Sequence, residues 1–345
     1  AAVALNTADI AINTAAIAAI PAPLPAGSGS NAEIYSSRWG SRTAASTDKW
    51  NSVAWSSDLS LFTAVASNKV MYSANGATWT NGTGQGNKAW NDVIWSPGLS
   101  LFCAIASGSV GLVMTSTNGT SWTSRTSAAN NFWRSIAWSP DLSLFCAVAS
   151  SGTGDRVETS PDGINWTSRN ASEENSWESV AWSSDLSLFC AVARDGTNRV
   201  MTSPDGINWT ARSAAAANSW KDIVYSPELS LFCAVASDGT NRVMTSPDGI
   251  TWTTRTAAAA NEWKTIAWAP EIGSFCSLSE TGTGNRVMTS TDGITWTSRV
   301  SPADNSWQCL AWAPLLYTFV GLSDTAAIDT MVMINEAGSS NPFNQ

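Results

Sequence analysis

Arginine and aspartate recur at matched positions of this chain, in stretches that vary between its repeated phrases. The arginines follow the pattern NRV or DRV and are Arg156, Arg199, Arg242 and Arg286. Two of the preceding stretches contribute Asp195 and Asp238. Binding residues are often carried by variable loops that a rigid scaffold holds in place. We therefore take these arginines and aspartates as candidate ligand-binding residues.

The regular spacing argues against catalysis, because a catalytic cluster should depart from the repeat rather than follow it. The chain contains no histidine, which excludes histidine triads, histidine general bases and histidine metal sites. Glu173 and Glu174 stand in a variable stretch that is more typical of a solvated surface. No glycine-rich phosphate loop follows a strand and opens a helix. We predict a non-enzymatic protein that uses no cofactor and no metal.

Tryptophan marks the repeat that must position these residues. One tryptophan recurs at intervals of 40 to 44 residues, at Trp50, Trp90, Trp133, Trp177, Trp220, Trp263 and Trp307. A second aromatic residue follows five positions later, and a third tryptophan closes the phrase NRVMTSPDGITWT and its variants. The chain therefore contains seven units, each too small to bury its apolar surfaces alone.

Each unit contains four strand signals, such as SVAWS, LFCAVAS, NRVMTS and INWTSR, separated by turn-forming residues. β-Branched and aromatic residues between Gly, Pro, Asn, Asp and Ser favour strands over helices. The sequence SPDG suits the tight turn of a β-hairpin. Four antiparallel strands per repeat, without helices, predict an all-β fold, a seven-bladed β-propeller with four-stranded blades.

The seventh unit lacks its last strand, because DTMVMINEAGSS from Asp329 contains no third tryptophan. The missing piece lies near the start of the chain, where EIYSSRWGSRT aligns with the other units through Trp39 and Arg42. An open array of repeats needs no such exchange and usually carries atypical capping repeats. We therefore predict a closed ring in which an N-terminal strand completes the last blade.

The hairpin phrase resembles the Asp-box of sialidase-type propellers. The matching residues in one copy are Ser246, Asp248, Gly249, Thr251 and Trp252, with one residue fewer between Asp and Gly than in the family pattern. The resemblance covers the hairpins of six blades. It implies a propeller, and it implies that the box is a structural element of the turn and not a catalytic one.

The resemblance thus implies a structural turn role for four aspartates, Asp162, Asp205, Asp248 and Asp292. The first two blades have asparagine instead, at Asn75 and Asn118. Sialidase catalysis would require an arginine cluster, a tyrosine nucleophile with a glutamate partner, and an aspartate acid/base that depart from the repeat. Here Tyr225 only replaces a repeat tryptophan.

The first 20 residues show a seven-residue pattern that is typical of a coiled-coil helix. Val3, Ile10 and Ile17 share one register, while Asn6 and Asn13 stand three positions later, at heptad positions a and d. The pattern resembles the trimeric coiled coils of phage fibres and bacterial trimeric adhesins. The resemblance implies that Asn6 and Asn13 line a threefold axis and can hold an anion.

The alternative is an amphipathic helix that folds onto its own propeller, since fewer than three heptads are visible. Residues 21–32 would form a linker. Its proline-containing first part would be semi-rigid and its Gly/Ser part flexible. We therefore expect a helical stalk at 1–20, a linker at 21–32 and the propeller at 33–345.

Composition and charge limit the classes of partner that the chain can bind. The net charge is −9 and only 13% of residues are charged, without a basic stripe, which argues against nucleic acid and anionic membranes as partners. No run of 18 uncharged apolar residues exists, so we predict no membrane insertion. Five of the six cysteines share one repeat position. Facing blades lie too far apart for disulfides there, so we expect buried, unpaired thiols.

These features favour a non-enzymatic fibre or appendage protein of a phage or virus, located on the virion, whose propeller binds a host glycan or protein. The expected partners are other subunits of the assembly, with a homotrimer as one form. The first alternative is a structural decoration or spacer subunit of a capsid, tail or extracellular filament, and the second is a repeat-based lectin. The diversified loops agree with binding and equally with drift of unconstrained loops.

Overall fold

The computed structural model describes residues 38–84, 86–108, 111–325 and 327–336. The described residues form seven antiparallel sheets of four strands each, which confirms the seven-bladed β-propeller. The helical segment predicted for residues 1–20, with Asn6 and Asn13, and the linker predicted for residues 21–32 lie outside the described residues.

The strands are numbered β1 to β28 in chain order and occupy four positions in each blade. The first strands of the blades are β2 (Trp50–Ser56), β6 (Ala89–Ser96), β10 (Trp133–Ser139), β14 (Trp177–Ser183), β18 (Trp220–Ser226), β22 (Trp263–Ala269) and β26 (Trp307–Ala313). The second strands are β3 (Leu61–Ala66), β7 (Leu101–Ser107), β11 (Leu144–Ala149), β15 (Leu188–Ala193), β19 (Leu231–Ala236), β23 (Ser274–Ser279) and β27 (Thr318–Ser323).

The outer half of each blade is shorter. The third strands are β4 (Lys69–Ser73), β8 (Val113–Ser116), β12 (Val157–Ser160), β16 (Val200–Ser203), β20 (Val243–Ser246), β24 (Val287–Ser290) and β28 (Val332–Asn335). The fourth strands are β5 (Thr80–Asn81), β9 (Thr123–Arg125), β13 (Thr167–Arg169), β17 (Thr210–Arg212), β21 (Thr253–Arg255), β25 (Thr297–Arg299) and, for the last blade, β1 (Trp39–Arg42). Short 3-10 helices occur at Pro270–Ile272, Pro314–Leu316 and Ile328–Thr330.

The first strands lie innermost and contact one another around the ring. β2 contacts β6, and the contacts continue through β10, β14, β18 and β22 to β26, which contacts β2 again. The ring is therefore closed at its inner wall by packing of the first blade against the last. Closure removes the exposed sheet faces that an open row of blades would leave at its two ends.

A buried tryptophan fixes the start of every first strand. Trp133, for example, has no exposed surface, and its indole Nε1 donates to the carbonyl of Ala129 at 3.2 Å, four residues earlier. Five other first-strand tryptophans make the same bond. The register shifts immediately after the tryptophan in all seven blades, which marks a β-bulge.

Aromatic side chains fill the space between each first strand and its hairpin. In the third blade Phe145 lies between Trp138 and Trp166, with ring centroids 4.6 Å and 6.2 Å apart. The fifth blade keeps the arrangement with Tyr225 and Phe232 at 4.8 Å. Such tilted aromatic pairs add to the stabilisation from burying their area. The core lies between neighbouring blades, since Cys146 of the third blade is buried in one cluster with Trp177 of the fourth.

The hairpin turns are held by side-chain oxygens. In the third blade Asp162 Oδ1 accepts from the backbone N–H groups of Ile164 and Asn165 at 2.8 and 2.7 Å. Gly163 has φ +70°, and a Cβ there would lie 3.1 Å from a Leu101 methyl of the preceding blade. Asp205, Asp248 and Asp292 accept from the equivalent N–H groups, as do Asn75 and Asn118.

All six cysteines are buried and unpaired, as predicted for the five that share one repeat position. They are Cys103, Cys146, Cys190, Cys233, Cys276 and Cys309. Burial raises the pKa of each thiol well above its usual range. The thiol form therefore dominates at neutral pH, and these residues act as small apolar side chains of the core.

The last blade takes its outer strand from the start of the described chain. β1 pairs with β28 antiparallel, with Trp39 opposite Asn335 and Arg42 opposite Val332, as the alignment of Trp39 and Arg42 with the other blades predicts. Glu336 extends the contact, since its N–H donates to the Arg38 carbonyl at 2.8 Å and its carboxylate pairs with Arg42.

Deleting residues 1–43 removes β1 and leaves the β28 edge unpaired, so we expect the shortened chain to aggregate or to melt several degrees lower. Thermal denaturation with simultaneous light scattering measures both effects. A chain that lacks only residues 1–32 retains β1 and serves as the control. If both shortened chains melted at the same temperature as the intact chain, the stability of the ring would not depend on this strand.

Glu158 in β12 departs from the repeat inside the core. The equivalent residues are methionines in the other blades, at Met71, Met114, Met201, Met244, Met288 and Met333. The side chain is fully buried, and burial raises its pKa to about 8. Its Oε2 accepts from Ala128 N at 2.7 Å, whereas its Oε1 has no hydrogen-bond partner among the described residues.

We expect Glu158→Met to stabilise the protein, and to do so more at pH 8.5 than at pH 5. The pKa of Glu158 is higher in the folded state than in the unfolded state, so the folded protein keeps this carboxyl protonated. The destabilisation that the buried carboxyl causes therefore grows as pH rises from about 4.5 to about 8. One pKa unit corresponds to about 1.4 kcal/mol, so the gain at pH 8.5 should reach a few kcal/mol.

Urea denaturation of both proteins at the two pH values tests this expectation. Met201→Glu, the reverse change at the equivalent position of the next blade, is the matched control and should destabilise with the same pH dependence. Equal stability changes at pH 5 and pH 8.5 would contradict a buried carboxyl at this position.

Candidate functional site

The strand order gives the ring two different faces. The loops between second and third strands and the links between blades emerge on one side, which we call the loop face. The turns between first and second strands and the hairpins between third and fourth strands emerge on the other, which we call the turn face. Each first strand starts at the loop face, so the residues just after its tryptophan lie at that end of the channel.

The first strands enclose a central cavity of about 310 Å³, and the residues that line it lie toward this end of the channel. Three successive residues of each first strand line it and form three layers. Layer one follows the tryptophan and consists of Asn51, Asn91, Arg134, Glu178, Lys221, Lys264 and Gln308. Layer two consists of Ser52, Asp92, Ser135, Ser179, Asp222, Thr265 and Cys309. Layer three consists of Val53, Val93, Ile136, Val180, Ile223, Ile266 and Leu310.

The three layers differ in how strictly they follow the repeat. The tryptophan before layer one is the same in all seven blades, and layer three is always aliphatic. Layer one contains five residue types, with positive, negative and neutral side chains. The β-bulge lies at layer one, and bulges re-aim side chains away from the regular strand pattern. Layer one is therefore the most varied of the three layers, although layer two also differs between blades.

Layer two joins neighbouring blades. Asp92 accepts from the Ser52 hydroxyl of the preceding blade at 2.6 Å and from the Ile136 N–H of the following blade at 2.9 Å. Burial raises the pKa of Asp92 to about 6, against the opposing effect of these hydrogen bonds. The Asp92 carboxylate thus accepts hydrogen bonds from both neighbouring blades and links three blades.

Asp222 makes the equivalent link on the far side of the ring. It accepts from the Ser179 hydroxyl at 2.7 Å, and from the Thr265 hydroxyl and the Ile266 N–H at 3.0 and 2.8 Å. Burial raises the pKa of Asp222 as well. A further bond, from the Val180 N–H to the Ser135 hydroxyl at 3.3 Å, continues the series between the two aspartates.

The acidic and amide groups of layer one are partly engaged at the mouth. Glu178 pairs with Arg194 at 3.3 Å, and Lys264 lies 3.8 Å from Glu280. Gln308 also donates to the Glu280 carboxylate at 3.0 Å. Asn51 and Asn91 donate to the carbonyls of the tryptophans that begin the next blades. These contacts fix the wall of the mouth on both sides of the remaining cations.

Lys221 and Arg134 are those remaining cations. Lys221 makes no hydrogen bond or ion pair within the described residues, although burial at the mouth lowers its pKa. Arg134 uses Nε to donate to the Ser150 hydroxyl at 2.9 Å. The mouth therefore offers hydrogen-bond donors with positive charge beside the Glu178 carboxylate, an arrangement that suits a polar ligand carrying both donors and acceptors.

The arginines singled out from the sequence lie on the loop face but outside the channel lining. Arg242 donates from Nε to the Gly239 carbonyl at 3.0 Å and from Nη1 to the carbonyls of Ser237 and Asn261 at 2.8 and 2.7 Å. Because Asn261 belongs to the link into the next blade, the guanidinium ties two blades together. Arg156, Arg199 and Arg286 make the equivalent bonds.

The two aspartates singled out from the sequence hold the same loops. Asp195 accepts from the N–H and the hydroxyl of Ser176, both at 2.7 Å, and Asp238 accepts from the Ser219 N–H at 2.6 Å. Although burial raises it, the pKa of Asp195 falls below its usual range because of the bonds from Ser176. The ligand-binding role of these arginines and aspartates stays a prediction, and each of them has a structural contact.

Sequence reasoning missed layer one. The residue after each constant tryptophan differs between blades, but so does the residue before it, so variation alone did not identify layer one. Among the described residues, no group of His, Cys, Asp and Glu side chains is arranged to hold a metal ion. Within the same residues, no helix combines the length and apolar character of a membrane span.

We expect Ser52→Ala to destabilise the ring by about 2 kcal/mol at pH 8, because it removes a hydrogen bond to an ionised carboxylate. The loss should be smaller at pH 5, below the pKa of about 6 of Asp92, where the folded-state carboxyl is protonated. Urea denaturation at both pH values measures it. In an Asp92→Asn background the pH dependence of the loss should vanish; if it persisted, another group would be responsible.

The sequence matches no protein-family model and no curated protein. Solved structures share the fold. A structure of YCF48 bound to D1 peptide is 14% identical over 88% of this chain and 96% of its own, with a TM-score of 0.66. YCF48 from Cyanidioschyzon merolae is 14% identical over 87% and 99%, with a TM-score of 0.62. A chain of the mitotic checkpoint complex is 16% identical over 87% and 91%, with a TM-score of 0.62. At these identities the similarity shows the β-propeller fold alone.

Proposed function

We propose that this chain is a non-enzymatic binding protein that holds a polar ligand on its loop face, over the mouth of the central channel. The observation that carries the proposal is the contrast between layer one and its neighbours. The tryptophan and layer three repeat in every blade because the core requires them, whereas layer one changes from blade to blade. Variation at the rim of a cavity in a rigid scaffold is typical of a binding surface.

The chemistry of the mouth favours a narrow, polar ligand. A cavity of about 310 Å³ admits an extended peptide segment or a few sugar units but not a folded domain. Lys221 and Arg134 supply positively charged donors, and Glu178 supplies an acceptor with negative charge. The predicted residues around the rim, among them Arg242 and Asp238, would extend the contact outwards.

The comparisons support a protein or peptide as the ligand class. One similar propeller is described with a bound peptide, and another belongs to an assembly of several proteins. A host glycan is the second ligand class, as expected of a lectin. We favour the peptide because the mouth has few exposed aromatic rings on which a sugar could stack, the described loop-face exception being Phe132.

We further propose that the propeller is carried by a virion fibre or appendage, with residues 1–20 as a trimeric stalk in which Asn6 and Asn13 hold an anion. The support for this part is the heptad pattern in the sequence. Light scattering on the full chain tests it, since a stalk that assembles gives the mass of three chains. A monomeric mass would favour the spacer or decoration subunit.

The ligand proposal is tested by screening the full chain on peptide and glycan arrays and by measuring the affinity of the best ligand by calorimetry. We expect Lys221→Met to weaken the binding of that ligand at least tenfold while leaving the melting temperature unchanged, because Lys221 makes no hydrogen bond or ion pair within the described residues. The matched control is Asp162→Asn, a change on the turn face, which should leave the affinity unchanged.

Two results would contradict the proposal. Unchanged affinity in Lys221→Met together with weaker binding in Asp162→Asn would place the ligand on the turn face. Chemical conversion of the bound ligand, seen by mass spectrometry after prolonged incubation, would show that the protein is an enzyme.

A further inference from the structure

The turn face carries most of the exposed apolar side chains of the described residues. Six leucines and four isoleucines, ten of the thirteen large exposed hydrophobic residues, lie in its turns. The leucines lie in the turns between first and second strands and are Leu59, Leu99, Leu142, Leu186, Leu229 and Leu315. The isoleucines lie in the hairpins and are Ile164, Ile207, Ile250 and Ile294. Exposed apolar residues gathered on one side mark an interaction surface more often than scattered ones do.

The hairpin isoleucines are not required by the turn. They are 44 to 49% exposed, and all belong to blades three to six. The first two blades have Ala77 and Thr120 at this position, and Thr120 N–H makes the same hydrogen bond to the turn side chain as the isoleucines do. Threonine therefore serves the turn as well as isoleucine does. The exposure of the isoleucines needs another reason.

The neighbouring tryptophans follow this asymmetry in blades three to five, whereas Trp296 in blade six is buried. Trp166, Trp209 and Trp252, two residues after three of these isoleucines, are half-buried, whereas Trp79 and Trp122 in the first two blades are buried. Blades three to five thus present an isoleucine and the edge of an indole side by side. We call the surface formed by the four isoleucines and these three tryptophans the apolar crescent.

Negative charge surrounds the apolar crescent. The hairpins of blades three to six contribute Asp162, Asp205, Asp248 and Asp292. The turns between first and second strands contribute Asp58, Asp141, Asp185, Glu228 and Glu271. No lysine or arginine occurs in any of the described turns of this face. The field at the turn face is therefore negative in every blade that carries an isoleucine.

Several of these acidic groups are held in place by hydrogen bonds. Glu228 and Glu271 accept from the indole N–H groups of Trp268 and Trp312 in the next blades, at 2.7 and 2.6 Å. The hairpin aspartates accept from backbone N–H groups, and these bonds hold the pKa of Asp162 at about 2 even though burial opposes them. A partner thus meets fixed charges, which cost little further ordering when they are paired.

We propose that the apolar crescent is a docking surface for a protein segment that presents aliphatic side chains together with lysine or arginine. Apolar contact supplies the burial, and the fixed carboxylates select positive charge over negative. An anionic membrane surface or a nucleic acid would be repelled. The docking surface lies opposite the channel mouth, so the chain can hold a ligand on one face and be mounted through the other.

Residues 1–37 do not supply the occupant. Residues 1–37 contain Asp9 and Glu33 but no lysine or arginine, so they offer no charge complementary to the turn face. A second copy placed turn face to turn face would oppose carboxylates with carboxylates. The partner in this proposal is a different protein, and in a virion or filament it would be a basic subunit to which the propeller is attached. The loop face of a second copy, which carries Arg134 and Lys221, is the alternative that the test must exclude.

The test uses the full chain and a synthetic amphipathic peptide of arginine and leucine as the probe. Peptides of arginine and serine, and of glutamate and leucine, serve as probe controls. Two variants follow residues that the chain already uses in its own first blades. One replaces the four hairpin aspartates by asparagine, as at Asn75 and Asn118, and the other replaces the four isoleucines by threonine, as at Thr120.

We expect each variant to bind the arginine–leucine peptide with at least tenfold lower affinity, as measured by fluorescence anisotropy. The asparagine variant should also show a flatter salt dependence, because fewer charges are paired. Lys221→Met should bind the probe like the parent chain, which separates this surface from the ligand site on the loop face. If a fourfold variant melted early, single changes in one blade, Asp205→Asn and Ile207→Thr, would be compared instead.

Three outcomes would overturn the proposal. The first is equal binding of the arginine–serine peptide, which would show charge attraction alone. The second is unchanged affinity in both folded variants. The third is a self-association of the parent chain, seen by light scattering, that the asparagine variant abolishes, because the occupant would then be the loop face of another copy.

Discussion

The tryptophan at the start of each first strand is the contact on which the rest of the ring depends. Its indole is buried at the inner wall and, in six blades, donates to a carbonyl four residues earlier, which fixes the link from the preceding blade. The chain then has to form a bulge before regular pairing resumes. The bulge directs the next residue to the channel mouth. Core packing and the candidate site are thus consequences of one buried side chain.

Carboxylates serve three different purposes because they have three different environments. The hairpin aspartates are near the surface and accept backbone N–H groups, which keeps them ionised. Asp92 and Asp222 lie between blades, where burial raises the pKa and serine and threonine hydroxyls compensate part of the cost. Glu158 is buried with a single hydrogen bond, so its charged form is the least favoured. Solvation and the number of donors, more than residue type, decide the state of each group.

Alternation of strand direction separates the two faces of the ring, and the sequence uses them differently. The loop face carries the channel mouth with both signs of charge, together with arginines such as Arg199 that tie adjacent blades. The turn face combines apolar residues with carboxylates and lacks basic residues in its described turns. A rigid ring keeps these surfaces apart, so two partners could bind without competing.

The blades, their strands and the hairpin turns could be predicted from the sequence, since they depend on local features: strand-forming residues between breakers, SPDG turns and regularly spaced tryptophans. The pairing of Trp39 and Arg42 with the last blade followed from the same repeat. The sequence also shows that Glu158 stands where the other blades have methionine, but it does not show that this glutamate is buried. Lys221 and its layer could not be assigned, because a bulge shifts side-chain direction by one residue and no local pattern announces it. The structural bonds of Arg156 and Arg242 were likewise decided by tertiary structure alone, since their carbonyl partners belong to the next blade and only ring closure brings them together.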